Sequence, residues 1–239
     1  MPHLVAPYLS EDLHDITILL VGAGGNGSFM LSNLARINYA LMALGRKGLH
    51  VTVCDFDTVS ENNVGRQLFA PSDIGKFKSE VLISRANRTF GTNWNWSKKD
   101  ITVNRKANAN IVITAVDNVA ARRAVCDTLS LNSNKNSADV FKNYYWLDLG
   151  NGKDFGQVIL SGGGELKGLF DFYPDLEDEA DDGPSCSMME ALAKQDLFIN
   201  STLTQFAGKL LYELLTRKEL NYQGAYLNMN PLSVKPILV

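Results

Sequence analysis

Two uninterrupted apolar runs, ITILLV (16–21) and IVITAV (111–116), give the chain its frame. Each is short, rich in β-branched residues and cut off by glycine or aspartate, the pattern of a strand buried on both faces of a parallel sheet. LHVTVCDF (49–56) is the strand between them in sequence. After the first run comes GAGGNGS, then a helix whose Met30, Leu34, Ile37, Leu41 and Leu44 recur at alternating four- and three-residue steps along one face, closed by Gly45 and Gly48. A further helix is expected from about Lys76 to Arg88, NWNWSKK alternates as a short strand, and DNVAARRAVCDTL opens a helix directly after IVITAV. This alternation predicts an α/β fold, a Rossmann-like, doubly wound, mostly parallel sheet with helices on both faces.

The second half reads differently. LNSNKNSAD (131–139) is a polar loop, and YYWLDLG and FGQVILS are strands joined by the turn NGKD, which predicts antiparallel pairing there. DFYPDLEDEADDG (171–183) carries no basic residue and is expected to be a solvated loop bordering the site. Ser187 and Glu190 have the spacing of a capping box for a helix through MMEALAKQ, NSTLTQFAGKLLYELL is a further amphipathic helix, and AYLNMN and SVKPILV are the last strands. The expectation is a single domain over 1–239, with a nucleotide-binding half at about 16–130 and a remainder at 140–239.

Composition narrows the function classes. With 45% hydrophobic and 21% charged residues the chain has the make-up of a folded globular protein, and a net charge of −3 gives no basic footprint for nucleic acid. The first twenty residues lack a basic start and place Glu11, Asp12 and Asp15 before the apolar run, which argues against a targeting segment, and no run is long enough to span a bilayer. Cys54, Cys126 and Cys186 form no Cys-x-x-Cys pair and no even disulfide framework, so a reducing cytoplasm is expected; with only His3, His14 and His50 beside them, structural zinc is not.

Candidate chemistry begins at Gly22, Gly24 and Gly27, a Gly-x-Gly-x-x-Gly between a strand and a helix, where backbone N–H groups and the helix N-terminus hold phosphate. That signal names a nucleotide but not which one. Asp55 at the end of the second strand can take ribose hydroxyls as in NAD sites, although its spacing from the loop is longer than usual. Arg66 offers a fixed positive fork and Lys78 a mobile ammonium for phosphate oxygens, and NAD requires neither. Asp117, at the tip of the third strand, lies at the sheet edge where such folds bind ligands, and a carboxylate beside polyphosphate usually holds magnesium. Together these residues ask for a triphosphate.

The series Gly-x-Gly-Gly-x-Gly, Asp-Phe-Asp-Thr-Val-Ser, Asn63, Arg66-Gln67, Asp73-x-Gly75-x-x-Lys78 and Asp117-Asn118-x-x-x-Arg122 resembles the ThiF and MoeB adenylyltransferases, relatives of ubiquitin-activating enzymes, over residues 16 to about 127. GRQLF, FGTNW, GQVIL, PSCS and KQDLFINSTL resemble the ThiF-related protein of the bacterial PRTRC cassette and extend the likeness to most of the chain. What the resemblance implies is a homodimer that uses ATP and Mg2+ to turn the C-terminal carboxylate of a small ubiquitin-like or sulfur-carrier-like protein into an acyl-adenylate, with release of pyrophosphate. Carried across, Gly25 and its neighbours would approach the α-phosphate, Asp55 the ribose, and Asn63, Arg66 and Lys78 the phosphates. Gln67 and Asn118 would complete the nucleotide contacts, Asp117 would hold magnesium, and Cys186 would stand where some relatives form a thioester.

Duller readings stand beside these. Asp57 either caps the following turn or touches ligand, Gln67 bridges loop backbone, Arg122 makes either a structural ion pair or a ligand contact, and Cys54 and Cys126 are core. A helix N-terminus would lower the thiol pKa of Cys186; otherwise it is a small residue packing the helix entrance. No Arg or Lys precedes Arg36, whereas many relatives send an N-terminal arginine to the partner's ATP; Val64 and Gly65 replace bulkier residues and predict a more mobile loop. Two other functions remain open: a nucleotide-binding scaffold without catalysis, and an NAD-dependent oxidoreductase, which would need a histidine at a strand end that the sequence does not offer.

Overall fold

The computed structural model describes residues 1–10, 15–99, 109–132, 144–177 and 195–239. Five parallel strands form the centre: β2 (Ile16–Val21), β3 (Leu49–Cys54), β4 (Asn95–Ser97), β5 (Ile111–Thr114) and β6 (Tyr145–Asn151). β7 (Phe155–Gly162), β9 (Tyr222–Met229) and β10 (Leu232–Leu238) continue the sheet antiparallel, giving the order β10-β9-β7-β6-β5-β2-β3-β4. The switch to antiparallel follows the turn after Asn151, where Gly152 N donates to Phe155 O at 3.0 Å, a connection too short to allow a parallel return.

Alternation along the central strands sends neighbouring residues into two cores. Ile18, Leu20, Ile111, Ile113, Leu147 and Leu149 join the larger cluster, while Val21, Val112 and Trp146 join the smaller one on the opposite face. The larger is covered by α2 (Gly25–Ala43), α3 (Lys78–Phe90) and α6 (Ile199–Thr216), the smaller by α4 (Val119–Asn132) and the short α5 (Leu169–Phe172). Burial on both faces is why the sequence shows continuous apolar runs here. α2 and α6 lie close enough for Asn33 Nδ2 to donate to Thr204 O at 2.9 Å, with Gly208 against the Asn33 side chain.

Met30, Leu34, Ile37 and Leu41 are buried as their spacing predicts, but Leu44 is exposed, because it caps the helix and the chain turns away through Gly45 at φ +75°. α3 starts at Lys78, two residues later than expected, and β3 stops at Cys54, leaving Asp55 and Phe56 in the following loop. A small ribbon has no local signal: β1 (His3–Leu4) pairs antiparallel with β8 (Glu219–Leu220), followed by α1 (Pro7–Ser10). It is anchored by Tyr145, whose hydroxyl sits 2.9 Å from His3 Nε2 and accepts from Ala6 N. Among the described residues no helix is long and apolar enough to cross a membrane. Cys186, the expected capping box of Ser187 and Glu190, and the acidic stretch beyond Glu177 lie outside the described residues.

Candidate functional site

The first strand of the core ends in a loop that only glycine can build. Gly22 has φ +91° and donates its N–H to Cys54 O at 2.9 Å; a Cβ there would lie 2.5 Å from Ala115 O. At Gly27 a Cβ would lie 2.0 Å from Gly22 O, so the start of α2 folds directly onto the end of β2. At Gly24 the nearest atom is Gln67 Nε2 at 3.9 Å, which leaves open space beside the loop. The register brings Val21 level with Cys54 on one side and Thr114 on the other, so the loop stands at the carboxyl edge between β3 and β5. This is the switch point at which open α/β sheets bind ligands.

Asp55 ties the loop down. Its Oδ2 accepts from Ala23 N at 2.6 Å and its Oδ1 from Asp57 N at 2.8 Å. Burial pushes this carboxyl up from its ordinary value, against the pull of the two amides and of Lys78. Asp55 therefore shapes the loop through both of its carboxylate oxygens.

The segment after β3 folds against the start of α2. Asn63 is buried and its Oδ1 accepts from Ser60 N and Oγ at 2.9 and 3.1 Å, closing a turn, while Leu68 N donates to Ser28 Oγ at 3.2 Å. Arg66 Nη1 donates to Gln195 Oε1 at 3.0 Å, and burial lowers the guanidinium's pKa. Gln67 does not bridge backbone through its carbonyl: Gln67 Oε1 is buried with no partner, and so are Asn26 Oδ1 and Arg66 Nε. Five such atoms occur among the described residues, and these three stand on the glycine loop or the segment packed against it. Buried polar atoms without partners call for a ligand or water.

Lys78 is not a free ammonium. Its side chain is 9% exposed and its Nζ lies 2.9 Å from Asp57 Oδ2, so Asp57 serves as an ion-pair partner instead of a turn cap. Asp117 and Asn118 are exposed beyond β5, where Asn118 Oδ1 accepts from Ala121 N at 2.7 Å and caps α4. Asn118 Nδ2 approaches Asp117 Oδ1 at 3.4 Å. Arg122 resolves to a structural pair, with Nε 3.0 Å from Asp148 Oδ1 and Nη2 donating to Val116 O at 2.7 Å. Among the described residues no three His, Cys, Asp or Glu side chains gather as a metal site. An exposed carboxylate at the sheet edge still suits magnesium, which takes one or two carboxylates and completes its shell with phosphate and water.

Sequence reasoning passed over Asn26, Asn151, Gln195 and Asn200. Asn26 Nδ2 donates to Asn151 Oδ1 at 2.7 Å, and Asn200 Nδ2 to Gln195 Oε1 at 2.9 Å; a Cβ on Gly25 would lie 2.7 Å from the Asn200 amide. A polar residue inside a glycine loop was a legible sign for Asn26. The others meet it only through the fold.

Comparison with known proteins finds relatives both in sequence and in fold. The chain is 42% identical over 71 residues to ubiquitin-activating enzyme E1 1 of Schizosaccharomyces pombe, covering 29% of this chain and 7% of that one. To the NEDD8-activating enzyme E1 catalytic subunit of Dictyostelium discoideum it is 34% identical over 115 residues, 46% of this chain and 24% of the other. The chain thus spans under a quarter of the length of these curated relatives. Among solved structures, PaaA superposes with a TM-score of 0.63 at 15% identity over 97% of this chain and 66% of its own. E. coli MccB with ATP gives 0.61 at 12% identity over 96% and 65%, which establishes the shared fold. The glycine loop and the residues around it lie within a match to the ThiF family that runs from residue 3 to 234, and the chain belongs to that family.

Proposed function

We propose that this protein is an adenylyltransferase that uses ATP and magnesium to activate the C-terminal carboxylate of a small ubiquitin-like or sulfur-carrier-like protein, working as a homodimer. The observation that carries the reading is the grouping of orphaned buried polar atoms, Asn26 Oδ1, Arg66 Nε and Gln67 Oε1, around a glycine loop open at Gly24 in a ThiF family chain. E1 enzymes for ubiquitin and NEDD8 among its relatives, and a fold neighbour solved with ATP and again with MccA, support the substrate classes.

In this reading the N–H groups at the start of α2 receive the α-phosphate, Asp55 orients the ribose, and Asn63, Gln67 and Asn118 shape the pocket wall. The incoming carboxylate and the phosphate are both anions, so their approach is opposed by repulsion, and Arg66 and Lys78 lower that barrier electrostatically. Lys78 exchanges Asp57 for phosphate or shares itself between them. The carboxylate oxygen bonds to the α-phosphorus as the bond to the β-phosphate oxygen breaks, and pyrophosphate leaves. Asp117 would hold magnesium, which neutralises phosphate charge when bound. Cys186, if it forms a thioester, acts after this step.

Calorimetric titration with ATP, with and without magnesium, and with NAD tests the reading. Magnesium-dependent ATP binding that weakens in Asp117→Ala is expected. NAD binding in place of ATP would return the site to the oxidoreductases. ATP binding with no pyrophosphate exchange in the presence of any small-protein carboxylate donor would leave a nucleotide-binding scaffold.

A further inference from the structure

We propose that Gln195, mounted on Asn200 at the start of α6, is the positioning residue that holds Arg66 toward the phosphates without neutralising it. Arg66 Nη1 and Asn200 Nδ2 converge on one oxygen, Gln195 Oε1, at 3.0 and 2.9 Å. The orientation of both amides follows from chemistry: a guanidinium has only donors, so the Gln195 atom facing it is oxygen, and the Asn200 atom facing that oxygen is nitrogen. Asn200 is 2% exposed and also lies against the glycine loop, 2.7 Å from where a Cβ on Gly25 would stand. The loop, the Arg66 segment and α6 therefore meet at one amide pair.

The neutrality of Gln195 is the informative part. Arg122 and Arg85 pair with carboxylates, Asp148 and Asp73, and Arg46 donates to the backbone carbonyls of Leu9 and Leu215. Arg66 differs from all three in combining an uncharged side-chain acceptor with a buried Nε that has no partner. A cation meant for phosphate keeps its full charge and a fixed direction in this arrangement. The inference rests on the adenylation reading of the site and adds to it two residues, neither of which needs to touch ligand.

Titration of the full chain with magnesium-ATP and with AMP as probes tests it, because only ATP carries phosphates beyond the first. Gln195→Ala is expected to weaken ATP binding about tenfold with little change for AMP, and to cost nothing further in an Arg66→Ala background. Equal weakening of ATP and AMP, or a full additional loss on top of Arg66→Ala, is the mark of a merely structural role and overturns the proposal. Gln195→Glu guards against a variant that fails to fold, since a carboxylate of the same size accepts both bonds. It is expected to keep the melting temperature yet lose ATP selectively, through cancellation of the Arg66 charge; unchanged ATP affinity in that variant overturns the proposal. If the wild type binds no ATP, the nucleotide reading fails and this inference with it. If ATP binds and neither Arg66→Ala nor Gln195→Ala alters the preference for ATP over AMP, this inference alone falls.

Discussion

Arg122 Nε lies 3.0 Å from Asp148 Oδ1, and both side chains are almost wholly out of solvent. The same guanidinium holds Val116 O and Leu149 O, so it pins the strand tip carrying Asp117 to the end of β6. Arg122→Met leaves the Asp148 carboxylate buried and uncompensated. Urea unfolding is expected to show a loss of about 3 to 5 kcal/mol, and a loss below about 1 kcal/mol would mean the pair contributes little.

The glycines of the loop are predicted to separate two kinds of damage. Gly27→Ala places a methyl 2.0 Å from backbone oxygen and should prevent normal folding, visible as loss of a cooperative thermal transition. Gly24→Ala meets nothing closer than 3.9 Å, and its melting temperature should stay near that of the wild type. Its ATP affinity should nevertheless fall, because the methyl enters the space where backbone N–H groups would approach phosphate. Unchanged ATP binding in Gly24→Ala would count against that placement.

Lys78→Met keeps the buried stem and removes only the charge, leaving Asp57 with 52% of its side chain exposed to water. The partner carboxylate stays hydrated and the methionine fills the buried lysine's place, so stability should change by less than about 1 kcal/mol. ATP binding should weaken about tenfold or more, as a charge-assisted contact to phosphate is lost. Paired unfolding and titration measurements separate the two effects.

The N-terminal ribbon predicts a pH dependence. Burial holds the His3 imidazole below its ordinary value of 6.5, with Glu165 pulling the other way. Below pH 6.5 the unfolded chain takes up a proton that the folded chain resists, so stability is full above that pH and is lost as pH falls toward the lowered value. His3→Gln should flatten the difference in melting temperature between pH 7.5 and pH 5.5 relative to the wild type. An identical slope in both proteins would remove His3 as the titrating group.

The parallel centre was readable because burial on both faces forces continuous apolar strands, and Gly22 and Gly27 were readable because backbone collisions leave no alternative at those two positions. Lys78 was read with the right charge and the wrong freedom: its spacing says nothing of Asp57 closing on it from across the loop. Leu44 kept the helical step but fell on the cap, since periodicity does not mark where a helix stops meeting its core.

By itself, the sequence determined the order of the main-sheet strands and the long helices, the glycine loop and the family likeness, all of which depend on contacts local in the chain or on one repeating period. The tertiary structure decided which polar groups meet. Asn26 reaches Asn151, Arg66 reaches Gln195 and His3 reaches Tyr145 across separations of more than a hundred residues. Side-chain hydrogen bonds over such distances leave no period in the sequence, because they depend on how the sheet aligns strand ends and not on the neighbours of either residue.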